Sequence, residues 1–194
     1  MPTCNRASST QHRHPIPTRV TKCHKVKTPV LHIASAIIRR NEEIVMIRQA
    51  APGEEPFWSV PAGRVEDGEL VTEGLRREVL EETGLRVVDP GKPAFVLQID
   101  NRRAEQIHKS RGAGSGYHAT VWTFEVHSWT GRLGPRDPDG FVSEASFMSI
   151  LDAIAHLEKL EWQSVTVGYL RGEIEPGSLH LQRWHEDGRV EIVA

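Results

Sequence analysis

The sequence predicts an α/β fold with a mixed sheet, on three observations. β-Branched and apolar runs at residues 30–38, 94–99 and 117–126 have the length and composition of strands. A helical stretch with an apolar stripe at Val71, Leu75 and Val79 is stopped by Gly84. A second helix is predicted around Phe147 to Lys159, after a short strand-like segment.

The elements follow in chain order. Residues 1 to 28 are rich in Pro, Ser, Thr, His and basic residues and read as a flexible leader, 29–160 as the domain proper and 161–194 as a C-terminal extension. Val30–Ile38 and Glu42–Arg48, separated by Arg39-Arg40-Asn41, predict a hairpin. Residues 50–56 predict a surface loop, and 57–63 lead into a glycine-bounded turn. Trp58 reads as core or as lining the pocket, and the core is favoured because large aromatics beside a strand are usually buried. Val87-Val88 precedes a Pro/Gly turn and the strand Ala94–Ile99. The polar, basic stretch 101–116 predicts a long loop, followed by a strand Tyr117–Val126 and a loop Ser128–Gly140. Beyond the second helix come a short helix near Ser164–Leu170 and a hairpin turning at Asp187-Gly188.

Charge is uneven along the 194 residues. Residues 1–41 hold eight Lys/Arg and no acid; the remainder has 16 basic and 26 acidic residues, a balance of -10. An acidic body argues against non-specific nucleic-acid binding and suits a cation-dependent site. No apolar run is long enough to span a membrane. Both cysteines, Cys4 and Cys23, lie in the leader, so no disulfide framework is expected, which fits a reducing, cytoplasmic setting.

Chemistry concentrates between residues 62 and 85. Glu78, Glu81 and Glu82 stand at i, i+3 and i+4, about 40° and 60° either side of Glu78 on a helix. Three like charges on one face repel, and a hard divalent cation such as Mg²⁺ or Mn²⁺ resolves that repulsion. Such ions neutralise phosphate oxygens and activate water.

Gly63, Glu69, then Arg77-Glu78-Val79-Leu80-Glu81-Glu82-Thr83-Gly84-Leu85 resembles the Nudix box of the Nudix hydrolases at every specified position. Leu70 departs from the Ser or Thr that often caps the helix in that family. The resemblance implies an α/β/α sandwich, a curved mixed sheet between helices, and hydrolysis of a pyrophosphate bond in a nucleoside diphosphate linked to another moiety. It implies Glu81 and Glu82 as principal metal ligands, Glu78 as ligand or general base, and the Ala62 carbonyl as a further ligand. Arg77 would orient Glu69 or Glu78. A further acidic residue often completes such sites or acts as the base, and Asp137, Asp139, Glu125 and Glu144 are the candidates. Arg102, Arg103, Lys109 and Arg111 in the long loop are candidates for phosphate binding. Homodimers are frequent in the family.

Subfamily markers are absent. Ile99 and Asp100 stand where ADP-ribose pyrophosphatases carry a proline, and no marker of NADH or coenzyme A pyrophosphatases is found. The substrate therefore stays open among nucleoside triphosphates, oxidised nucleotides, nucleotide sugars and dinucleoside polyphosphates. Two other readings are a non-catalytic nucleotide sensor or interaction module, and RNA-end processing tethered by the basic leader. Intact box glutamates favour an enzyme, and the leader's lack of aromatics disfavours stacking on single strands.

Overall fold

The computed structural model describes residues 28–103 and 116–193. The leader and the loop residues Lys109 and Arg111 therefore lie outside the described residues.

Strands β1 (Val30–Arg40) and β2 (Glu43–Gln49) form the expected hairpin, turning at Asn41 with φ of 53°. Asn tolerates that left-handed conformation better than most residues. Short strands β3 (Phe57–Ser59) and β4 (Ala62–Arg64) lead to helix α1 (Val71–Thr83). Then come β5 (Leu85–Asp89), β6 (Pro93–Asn101) and β7 (Tyr117–Val126). Strands β8 (Ser128–Gly131) and β9 (Val142–Ser149) precede helix α2 (Ile150–Leu157). A 3-10 turn at Glu161–Gln163 leads into α3 (Ser164–Leu170), and β10 (Ser178–Trp184) and β11 (Val190–Ile192) close the order.

The main sheet runs β11-β10-β6-β7-β1-β2-β3, with β4 paired to β1 and β9 to β2. It is mixed: β1 is parallel to β7 and β10 to β6, while the other pairings are antiparallel. Helix α1 packs Leu75 and Val79 on one face, against Ala34, Ala36, Ile38 and Phe124. Helices α2 and α3 cover the other face through Ala153, Leu157, Val165 and Val167, against Ile37, Met46 and Phe95. The protein is thus an α/β/α sandwich. No helix among the described residues is long and apolar enough to cross a membrane.

Two predicted boundaries are corrected. Phe147 and Met148 belong to β9, opposite Val45 and Ile44, and helix α2 starts only at Ile150, where Ser149 Oγ accepts the Asp152 N–H. Helical spacing of apolar residues was real, but alternation is what the pairing with β2 requires, since Phe147 and Met148 enter opposite core clusters. Ser128–Gly131 is a strand, because Leu85–Asp89 offers it an antiparallel partner distant in sequence.

A carboxylate cluster at the start and face of helix α1

Helix α1 begins without the usual hydroxyl cap. Leu70 has no side chain able to accept the first amides, and the Glu73 carboxylate instead accepts the Leu70 N–H at 2.8 Å. At the other end Gly84 adopts φ of 78°, and its N–H returns to the Leu80 carbonyl. A left-handed glycine is required there twice over, because a Cβ would also meet the Gly134 carbonyl at 2.6 Å.

That close approach organises the site. The chain after β8 folds back onto the helix end, where the Gly134 N–H donates to the Thr83 carbonyl and the Arg136 N–H to the Glu81 carbonyl. Two of the carbonyls left orphaned at a helix C-terminus are satisfied in this way. The same fold-back brings Asp137 within electrostatic reach of Glu82. Asp137 is itself held in a tight loop: its Oδ1 accepts the Asp139 N–H, and its Oδ2 accepts those of Phe141 and Val142. Asp139 is exposed, with no side-chain partner among the described residues.

Glu82 is the most constrained acid of the set. It is 7% exposed, and its Oε2 accepts the Ala62 N–H at 2.8 Å. Burial pushes its carboxyl well above the usual range, and the nearby Glu78, Asp137 and Glu81 push it further; the Ala62 amide only partly offsets them. Glu78 lies across Gly63, so near that a Cβ on that residue would overlap its carboxylate. Burial raises Glu78 too, and the Arg77 hydrogen bond opposes that rise.

Arg77 binds Glu69 in a two-pronged pair, Nε to Oε1 at 2.8 Å and Nη2 to Oε2 at 3.0 Å. Its Nη1 reaches Glu78 at 2.8 Å and Glu81 at 3.2 Å, and Nη2 also donates to the Arg64 carbonyl at 2.8 Å. One planar guanidinium thus joins the loop, the strand β4 and the helix face. Glu69, which also accepts the Glu66 N–H, is held at a pKa of about 2, first by the Arg77 hydrogen bond and then by that backbone amide.

These donors suit a hard divalent cation. All are carboxylate oxygens, and the buried Glu82 sits among like charges with one amide for compensation. Glu78 and Glu81 are turned to Arg77, and among the described residues no three His, Cys, Asp or Glu are grouped as a metal site.

The remaining candidates fall elsewhere. Glu125 leaves β7 on the sheet face opposite α1, where Arg39 and the Tyr169 hydroxyl hold it. Glu144 is exposed on β9, opposite Arg48 of β2. Arg102 pairs with Asp100. Arg103 binds Glu161 and the carbonyls of His185 and Gly188, fixing the 3-10 turn and the C-terminal hairpin to the end of β6. The Ala62 amide holding Glu82 and the loop 132–137 closing the helix end had no signature in the sequence. The only hint was two glycines, Gly131 and Gly134, in the loop predicted over Ser128–Gly140.

Residues 30–167 match the family model described as NUDIX domain. The chain is 32% identical over 84 residues to the 8-oxo-dGDP phosphatase NUDT18 of Mus musculus, covering 43% of this chain and 25% of that protein. It is 44% identical over 69 residues to a putative nudix hydrolase 1 of Caenorhabditis elegans, covering 32% of this chain and 19% of that protein. The matches thus span about a quarter or less of these relatives' own length. Among solved structures, the mutator MutT protein from Bacillus halodurans superposes with a TM-score of 0.57 at 16% identity, covering 84% of this chain and 95% of that one. At that identity the likeness is one of fold.

Proposed function

The chain belongs to the Nudix family, and from that premise we propose that it is a divalent-metal-dependent pyrophosphohydrolase. Its substrate in this reading is a nucleoside diphosphate linked to another moiety, and the bond broken is a pyrophosphate bond by attack of water at phosphorus. The observation that carries the reading is Glu82: a carboxylate 7% exposed, among three other acids and steadied by one amide. A protein folds around such a charge at a cost, which a bound cation offsets.

Glu81 and Glu82 are proposed to hold Mg²⁺ or Mn²⁺, with Glu78 as a further ligand or as the base that takes the proton from water. When bound, the ion supplies charge neutralisation for phosphate oxygens and a more acidic water. Arg77 and Glu69 keep the loop and the helix face in register, and Gly63 leaves room for the Glu78 carboxylate. Asp137 adds negative charge beside Glu82 from the distal loop. Residues 29–160 form the catalytic unit in this reading, and the segment from 161 is an extension packed on it.

The mouse relative is named an 8-oxo-dGDP phosphatase, so oxidised guanine nucleotides head the substrates to test, followed by nucleoside triphosphates, nucleotide sugars, dinucleoside polyphosphates and capped RNA. Purified protein is assayed for phosphate and nucleotide release with Mg²⁺, Mn²⁺ or EDTA. The expected result is turnover of at least one nucleotide that EDTA abolishes and Glu82→Gln removes with the fold retained. Tight nucleotide binding with no metal-dependent turnover on any member would make the protein a sensor instead.

A further inference from the structure

On the sheet face away from α1, a cleft of about 280 Å³ opens between edge strand β3 and the chain at the end of α2, lined chiefly by Arg48, Phe57, Trp58, His156, Lys159 and Leu160. Arg48 and Trp58 are partners across β2 and β3, so both side chains leave the sheet on the same side. Trp58 packs on the core cluster beneath α2, and its ring lies 6.1 Å from that of His156 at an angle of 50°. Phe57 closes one end, edge-on to Trp162 at 5.8 Å.

Charge distinguishes this cleft from the body around it. From residue 42 onward the acids outnumber the bases, yet two cations, Arg48 and Lys159, border the aromatic wall. Both are exposed, and neither forms an ion pair among the described residues. Glu158, next to Lys159, is taken up by Arg171, and Glu144, across from Arg48 on β9, does not reach it. An aromatic wall beside unpaired cations matches a planar ring that carries phosphate: the ring gains by stacking, and the anion by charge-assisted hydrogen bonds.

We propose that this cleft binds a nucleoside monophosphate, with the base against Trp58 and the phosphate between Arg48 and Lys159. The site is separate from the carboxylate cluster, which lies on the opposite face of the sheet. On the hydrolase reading above, on which this clause alone rests, the ligand is a product of the reaction. Trp58 stands on the short segment that continues to Ala62, whose N–H holds Glu82.

Calorimetry with guanosine monophosphate in EDTA tests the site without turnover, so its failure would leave the hydrolase reading standing. Wild type and Glu82→Gln are expected to bind alike. Combined Arg48→Ala and Lys159→Ala should weaken binding at least ten-fold, and Lys159→Ala alone should weaken it measurably should the double variant unfold. Guanosine and inorganic phosphate, tested separately, should each bind at least ten-fold more weakly than the monophosphate. The proposal is overturned by no binding at millimolar ligand, by unchanged affinity in the folded cation variants, by loss of binding in Glu82→Gln, or by phosphate binding as well as the nucleotide.

Discussion

The Glu78 carboxyl carbon lies 1.9 Å from where a Cβ on Gly63 would stand, and both carboxylate oxygens lie within 2.2 Å of it. The glycine is therefore a seat for that carboxylate, set by β4 pairing antiparallel to β1 at Ala34. Gly63→Ala forces Glu78 to another rotamer while leaving the helix and its apolar stripe in place. We expect turnover to fall about 100-fold, the scale on which a displacement of about 1 Å acts in active sites. The checks are steady-state kinetics alongside far-UV circular dichroism; near wild-type kcat in a folded variant would show that Glu78 has no fixed place in the chemistry.

Glu82 gives a stability prediction with an unusual sign. Burial raises its folded carboxyl above the unfolded value of 4.5, so the folded state binds the extra proton. Its contribution favours folding below the unfolded value and is lost as pH rises through the folded value. Glu82→Gln removes the buried charge, and in EDTA the variant should be more stable than wild type at pH 8 by about 1–2 kcal/mol, with the gap closing toward pH 4. Thermal melts at several pH values measure this. A variant less stable than wild type at pH 8 would mean that the Ala62 hydrogen bond outweighs the desolvation.

Sequence reading reached the helix and its acids because both rest on local rules. The stripe Val71, Leu75 and Val79, the stop at Gly84 and the i, i+3, i+4 glutamates are all written in spacing. It reached β1, β2 and β7 by composition, and α3 by a short apolar stretch. It missed β8 because four residues become a strand only when β5, far earlier in the chain, offers its edge. It extended α2 backward because Phe147 and Met148 fit a helical period as well as an alternating one, and pairing with β2 decided between them. Among the acids, spacing could not separate Asp137 from Asp139, Glu125 or Glu144. The nearness of Asp137 to Glu82 depends on the loop from Arg132 to Arg136 folding onto the end of α1.

Arg77 offers a test of geometry against charge. Lys keeps the charge but cannot span Glu69, Glu78 and the Arg64 carbonyl at once. The cluster is a quarter exposed at the arginine, so solvent screening limits the loss, and we expect Arg77→Lys to cost about 1 kcal/mol of stability. Glu69 is held at about 2 against 4.5 unfolded, so the stability it brings is present above 4.5 and disappears as pH falls toward about 2. Urea unfolding should show the gap between wild type and variant narrowing from pH 6 to pH 3. A gap independent of pH would indicate that the ion pair contributes through packing alone.

Asp137 and Asp139 are close in sequence, yet the structure gives them unequal tasks. Both Asp137 oxygens accept backbone amides, one from Asp139 and two from Phe141 and Val142. An Asn cannot satisfy all three, because its amide nitrogen would face a donor. The same loop, one and three residues earlier, supplies the Arg136 and Gly134 amides that close the end of α1. Asp137→Asn should therefore lower stability by about 1–2 kcal/mol and also reduce turnover, since the residue also places charge beside Glu82. Asp139→Asn alters an exposed carboxylate with no side-chain partner among the described residues and should leave both within error. Adding Mg²⁺ separates the two effects of Asp137. If its charge contributes to cation binding, the Mg²⁺-induced rise in Tm should be smaller in Asp137→Asn than in wild type. An equal rise in both, with reduced stability in the variant, would restrict Asp137 to holding the loop.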